Sequence, residues 1–147
     1  MKSLLVISCS KTKINEKSEI PAFELYDGFY YRIIKKLQRE GKFPKNIDIL
    51  ILSAKYGIIK PTTKIRYYDQ IMTEERAVYL NGEAHEKLAK LIEQNNYNRV
   101  IINLGKTYHM AIEGFEKLID SNREIVEIDG GVGDRAKKMR EFLLLNT

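Results

Sequence analysis

The stretch Ser3-Leu4-Leu5-Val6-Ile7-Ser8 decides the fold. Its four central residues are aliphatic and do not alternate with polar ones, so neither face suits water. A strand of this kind is covered on both sides, which is the habit of parallel sheets. Ile47-Asp48-Ile49-Leu50-Ile51-Leu52-Ser53 and Arg99-Val100-Ile101-Ile102-Asn103-Leu104 repeat the pattern. Glu124-Ile125-Val126-Glu127-Ile128-Asp129 alternates, as an edge strand does.

Helical spacing fills the intervals. Phe23, Tyr26, Phe29 or Tyr30, Ile33 and Leu37 share a face from about Ala22 to Glu40, and Gly41 and Pro44 end that run. A second helix runs to about Gln94 with Leu80, Ala84, Leu88, Leu91 and Ile92 on one face. Its start is open, and Gly82 is a point at which it could divide. A third spans Lys106 to Ile119, and a fourth begins near Gly133. The order β-α-β-α-β-α-β-α predicts one α/β domain over residues 1–147. Its expected architecture is three-layer α/β/α around a mostly parallel four-stranded sheet. Two connections are long, Ser10–Pro21 and Ile58–Met72, and long loops in a compact domain tend to be functional or mobile.

Composition narrows the class. At 147 residues with 44% hydrophobic content, the chain can build one core. No apolar run reaches the roughly 20 residues that span a bilayer. The start MKSLLVIS has the Lys and short apolar run of a signal peptide, but the run ends at Ile7 and fits a buried strand better. A single cysteine, Cys9, rules out a disulfide framework and suits a cytoplasmic, reducing setting. Cys9 with His85 and His109 makes no recognisable zinc site, and no cofactor is expected. The net charge of +5 permits anionic partners such as nucleotides or nucleic acid, although mixed charges at 31% also describe an ordinary surface.

Ligands of parallel sheets bind beyond the carboxyl ends of the strands. Ser8-Cys9-Ser10-Lys11-Thr12-Lys13 follows the first strand, with hydroxyls, cations and backbone N–H groups suited to phosphate or carboxylate. A solvated surface loop would have the same composition. Cys9 could be a nucleophile if cations lower its pKa, or a small packing residue. Ser53-Ala54-Lys55-Tyr56-Gly57 follows the second strand, and Gly105-Lys106-Thr107-Tyr108 the third. Asp129-Gly130-Gly131-Val132-Gly133-Asp134-Arg135 follows the fourth and opens a helix, without the spacing of a dinucleotide fingerprint. Lys64-Ile65-Arg66-Tyr67-Tyr68-Asp69 interleaves cations with aromatics that can stack bases. Tyr67 is read as packing down on the core and Tyr68 as facing the site.

Four segments in order carry a resemblance. They are Val6-Ile7-Ser8-Cys9-Ser10-Lys11-Thr12, Glu24-Leu25-Tyr26-Asp27-Gly28, Leu52-Ser53-Ala54-Lys55-Tyr56-Gly57-Ile58-Ile59-Lys60-Pro61 and Val100-Ile101-Ile102-Asn103-Leu104-Gly105. Together the chain resembles the YaaA-type peroxide-stress proteins and their short archaeal, bacterial and phage relatives. A fainter likeness, in the Cys-Ser-x-x-Lys turn and the Ser-Ala-x-x-Gly segment, reaches a domain of archaeosine synthase. The resemblance implies a polar cleft at the strand ends. It also implies an association with DNA binding and protection from peroxide damage. Carried over by position, its residues are Ser8, Lys11, Thr12, Tyr26, Gly28, Ser53, Tyr56, Gly57, Pro61, Tyr68, Asn103 and Tyr108, with Arg135 and Lys138 matching loosely. Three departures stand out. The long proteins have Pro-Ala where Cys9-Ser10 stand here, they lack Lys55, and they carry a large insertion before the second strand. The insertion is linked to DNA binding, which weighs against duplex binding by this chain.

The expected function is therefore binding of a nucleotide, nucleobase or nucleic-acid component at the strand ends, with action on an N-glycosidic bond or a modified base. Lys11 would hold phosphate or act as an amine nucleophile, and Glu24 or Asp69 would serve as general acid or base. Tyr68 or Tyr108 would stack the base and Asn103 would bond its edge. Ser8, Cys9, Ser10, Thr12, Tyr26, Arg32, Ser53, Lys55, Tyr56, Gly57, Gly105, Gly131 and Arg135 complete the expected binding set. The alternatives are a non-catalytic DNA- or RNA-binding stress protein and a sensor of a small anionic metabolite.

Overall fold

Leu4 to Ile7 are at most 2% exposed, as a strand flanked on both sides requires. They belong to β1 (Ser3–Ser8), the middle strand of the main sheet in a computed structural model that describes residues 2–146. Met1 and Thr147, the ends of the expected domain, lie outside the described residues.

After β1 come a short strand β2 (Ile20–Pro21), helices α1 (Ala22–Leu25) and α2 (Phe29–Arg39), and strand β3 (Ile47–Ser53). Strands β4 (Gly57–Ile59) and β5 (Lys64–Ile65) precede the long helix α3 (Glu74–Gln94). Strand β6 (Arg99–Asn103), helix α4 (Lys106–Met110), a 3-10 turn (Phe115–Leu118), strand β7 (Glu124–Glu127) and helix α5 (Val132–Leu145) complete the chain. The sheet order is β4-β3-β1-β6-β7. β1, β3, β6 and β7 are parallel, and β4 is antiparallel to β3. The fold is thus α/β with a mixed, mostly parallel sheet of five strands. The fifth strand, β4, straddles the start of the expected long connection Ile58–Met72. Gly57 makes it possible: its φ of +73° lets the chain reverse tightly and pair with β3.

Two expected helices take other forms. The Ala22–Glu40 run breaks at Tyr26, whose backbone is extended, and restarts after Gly28. This break turns the Tyr26 side chain into the core, where it is fully buried. The Lys106–Ile119 run breaks because Gly114 adopts a left-handed φ of +97°. The α3 helix instead passes through Gly82 without dividing, and Thr73 caps its start by accepting the Arg76 N–H.

Register sets the strand ends level. Ser8 of β1 is paired with Leu52 of β3, and Ile7 with Asn103 of β6. Cys9 and Ser53 therefore emerge side by side, with Leu104 level with Ser8 on the other flank. The chain leaves β1 toward β3 and later crosses to β6 on the opposite flank, so the reversal of direction falls between β1 and β6. Open α/β sheets bind ligands at that crevice. The two long connections do not hang free. β2 pairs antiparallel with β5, and Lys13 bridges to Tyr26. No helix among the described residues is long and apolar enough to cross a membrane.

Candidate anion-binding site

A cavity of about 370 Å³ opens at the β1/β6 strand ends. Ser8, Cys9, Ser10, Lys11 and Thr12 form one side of it. The amino-terminal end of α2 supplies Gly28, Phe29, Tyr30 and Tyr31. Gly105, Tyr108, Val132 and Arg135 close it from the β6 and α5 side. Among the described residues, no carboxylate lines it.

Arg135 is the unusual group. It sits in the first turn of α5 and is 7% exposed. Its Nη1 donates to Asn103 Oδ1 at 3.1 Å and its Nε to the Gly130 carbonyl at 3.2 Å. The guanidinium stacks over the Tyr30 ring at 5.2 Å. The third nitrogen, Nη2, faces Gly105, where a Cβ would lie 3.5 Å away. Among the described residues, neither Arg135 nor Lys11 forms an ion pair. Burying a cation without a counter-charge is costly, and neutral acceptors compensate only in part. Arg135 and Lys11 both line the cavity.

The first turn is built to stay open. The Ser10 hydroxyl donates to the Thr12 carbonyl at 2.6 Å and accepts the Gly28 N–H at 3.2 Å. A Cβ on Gly28 would come within 2.6 Å of the Ser10 Cβ, so only glycine allows α2 to start this close. The Tyr31 hydroxyl donates to the Ser8 carbonyl at 2.8 Å.

Behind the cavity lies a buried cluster of hydroxyls. Tyr26 and Tyr68 are linked OH to OH at 2.6 Å, and Ser53 Oγ is 2.9 Å from the Tyr68 hydroxyl. Ser53 Oγ also accepts the Tyr56 N–H at 3.0 Å and the Lys55 N–H at 3.2 Å. Cys9 Sγ is 3.1 Å from the Tyr108 hydroxyl and accepts the Ala54 N–H at 3.4 Å. Burial pushes the Tyr26, Tyr31, Tyr68 and Tyr108 phenols well above their ordinary pKa, so all four stay protonated. Lys13 lies over the Tyr68 ring at 4.6 Å, and its loss of hydration lowers its pKa against the pull of Cys9 and Asp69.

The expected residues thus divide. Ser8, Cys9, Ser10, Lys11, Thr12, Gly105, Tyr108 and Arg135 share the cavity. Tyr26, Ser53 and Tyr68 stand behind it. Asn103 is fully buried and spends its amide on Arg135 and on Met139 Sδ at 3.3 Å, so it aims the guanidinium and does not face a ligand. Tyr67 and Tyr68 exchange the expected positions: Tyr67 is half exposed and Tyr68 packs down. Lys55, Tyr56 and Gly57 line a separate cleft of about 210 Å³. Gly131 lines a neighbouring cleft beside His109, whose Nε2 is 3.0 Å from Glu127. Glu24 and Asp69 are exposed away from the cavity, and Arg32 pairs with Asp27 at 3.2 Å on the surface. The acid or base expected of Glu24 or Asp69 is therefore not at this cavity.

Phe29, Tyr30, Tyr31 and Val132 were not expected at the site. Helical spacing placed Phe29 or Tyr30 on the core face without showing that the helix begins at the cavity. The signal was Gly28, a helix start next to three aromatics. Phe29 is 70% exposed and Val132 54%, which leaves an apolar rim on a cationic floor.

No curated protein matches the chain. Among solved structures, it is similar to the crystal structure of AF0587, a protein of unknown function, with a TM-score of 0.57 and 14% identity. The alignment covers 96% of this chain and 44% of that one, so the chain spans less than half of that protein's length. The likeness is one of fold. A sequence-family profile matches residues 4–137, and the chain belongs to that family, DUF6884, a family of unknown function.

Proposed function

We propose that the β1/β6 cavity binds the anionic group of a phosphorylated, nucleotide-like ligand. The observation that carries this reading is Arg135, buried without a carboxylate partner and lining a cavity that has no carboxylate among the described residues. Lys11 adds a second cation, and Ser8, Ser10 and Thr12 add hydroxyls. The exposed ring of Phe29 at the rim offers a face on which a base can stack. Several residues shared with the YaaA-type proteins, among them Ser8, Lys11 and Thr12, fall at this same end of the sheet, which supports a common binding region. The pairing of α2 with α5, and of α3 with α4, supports the three-layer α/β/α arrangement around it.

The test is thermal unfolding with AMP, adenosine, inorganic phosphate and a short oligonucleotide. AMP at a hundredfold excess over its Kd is expected to stabilise by about 2.7 kcal/mol, and adenosine much less. Arg135→Gln should lose the effect. Equal stabilisation by adenosine and AMP would remove the phosphate from the reading. Stabilisation by the oligonucleotide alone, with affinity falling steeply in salt, would favour nucleic-acid binding instead.

A further inference from the structure

We propose that the open edge of β3 at residues 47–49 docks an extended, acidic and apolar segment of another polypeptide, which adds a strand there. Neighbouring residues of a strand bond to opposite flanks. The Ser3 N–H donates to the Asn46 carbonyl and the Cys9 N–H to the Leu52 carbonyl, both at 2.9 Å, so the even-numbered residues of β3 face β1. The odd-numbered ones face the other flank, where Ile51 and Ser53 pair with Ile59 and Gly57 of β4. The same register would set Pro61 opposite Ile49. Proline has no N–H, and the Pro61 carbonyl accepts the Phe23 N–H at 3.0 Å. The ladder therefore stops at Ile51, and the N–H and C=O of Ile49 face outward with no strand beside them. The other margins of the sheet are guarded. Lys87 Nζ donates to the Ile58 carbonyl of β4 at 2.8 Å, and β7 carries Glu124 and Glu127.

Two clefts meet at this gap and share Asp48, Ile49 and Pro61. One, of about 270 Å³, takes in Leu50 and the α3 residue Leu91. The other, of about 490 Å³, takes in Ile47, Phe23 and Phe43. Ile47 and Leu50 are an odd number of residues apart on β3, so the clefts lie on opposite faces of the sheet. Side chains of an added strand alternate in the same way and would enter the two clefts in turn. Main-chain bonds combined with pockets for alternate side chains are how a sheet edge takes a peptide strand. The clefts also set its chemistry. Phe23, Phe43 and Ile49 suit an apolar side chain. Lys60 borders the first cleft and Lys45 the second, and among the described residues neither forms an ion pair. Asp48, the one carboxylate among the described residues of both linings, already accepts the Tyr97 hydroxyl at 2.6 Å. Two free cations beside one engaged carboxylate fit an acidic segment.

The probe is the blocked peptide acetyl-Glu-Val-Glu-Val-Glu-amide, titrated into the isotope-labelled whole chain and followed by NMR. Acetyl-Lys-Val-Lys-Val-Lys-amide is the charge control. In the free protein the Ile49 amide should exchange with solvent faster than those of Leu50 and Leu52. At about ten times its Kd, the acidic peptide should slow that exchange about tenfold, with shift changes centred on residues 47–49 and Lys60. Ile49→Pro removes the outward N–H without touching the β1 ladder, and should weaken the peptide about tenfold. Lys60→Glu, at an exposed position, should weaken it to a similar extent and serves if the proline variant fails to fold. No binding at millimolar peptide, or equal binding of the lysine peptide, overturns the proposal. So does an Ile49 amide already protected in the free chain, and protection that grows with protein concentration would assign the edge to a second copy instead. The two clefts share no residue with the β1/β6 cavity, so this result stands apart from the AMP test.

Discussion

A single guanidinium organises the site. Arg135 reaches three directions at once: Asn103 by Nη1, the Gly130 carbonyl by Nε, and the cavity-lining Gly105 by Nη2. Lysine has one nitrogen and no plane, so it cannot serve all three. Arg135→Lys is expected to fold but to weaken AMP binding by about 2 kcal/mol or more, as loss of a buried charged hydrogen bond does; isothermal titration reads it. The hydroxyl of Tyr68 is a second case. It bonds both Tyr26 and Ser53, and Tyr68→Phe leaves those two partners buried with one neighbour fewer. The expected loss of stability is about 1–2 kcal/mol in urea unfolding. An unchanged midpoint would mean that the cluster repairs itself.

At the level of elements, two glycines decide how the segments meet. Gly28 permits the contact between the first turn and the start of α2. Gly28→Ala forces the Ser10 Cβ to move from 2.6 Å, which displaces the turn that carries Lys11 and Thr12. The expected result is weaker AMP affinity together with lower stability. Gly57 acts differently. Nothing lies within 4 Å of its would-be Cβ, so Gly57→Ala meets only the cost of a left-handed φ, about 1–2 kcal/mol. Unfolding midpoints should drop while AMP affinity is kept, since β4 and its turn lie away from the cavity.

At the level of the whole molecule, the buried phenols set the alkaline limit. The folded chain holds the Tyr26, Tyr31, Tyr68 and Tyr108 protons above the ordinary pKa, whereas the unfolded chain loses them near pH 10. The unfolded state then binds fewer protons, so stability is intact below about pH 10 and falls as pH rises past it. Lys13 and Lys35, whose pKa values are lowered by burial, shift the balance the other way, but they are two partly buried groups against four phenols. Phenolate absorbance should rise in two stages, the second coinciding with loss of helical circular dichroism. A single smooth titration before unfolding would show that the cluster is wet.

The alternation of fully apolar strands with helical spacing was enough to derive a mostly parallel α/β sheet, and the rule for strand ends was enough to choose the edge at which to look for a site. Both are local or topological properties, legible in residue order. Lys11, Cys9 and Arg135 could be proposed for the same reason: each follows a strand. What order along the chain could not convey was which strand ends face the same hollow. Ser53 and Tyr68 turn inward because β4 folds back on β3 and burial of their hydroxyls is met by Tyr26. Asn103 and Arg135, 32 residues apart, meet only because β6 and α5 bring them together. Sequence by itself determined the α/β class, a mostly parallel sheet and the order of its main strands and helices, because these follow from local patterning. The tertiary structure alone decided that Arg135 would be buried with neutral partners and, among the described residues, no ion pair, because counter-charge is a matter of distance in space.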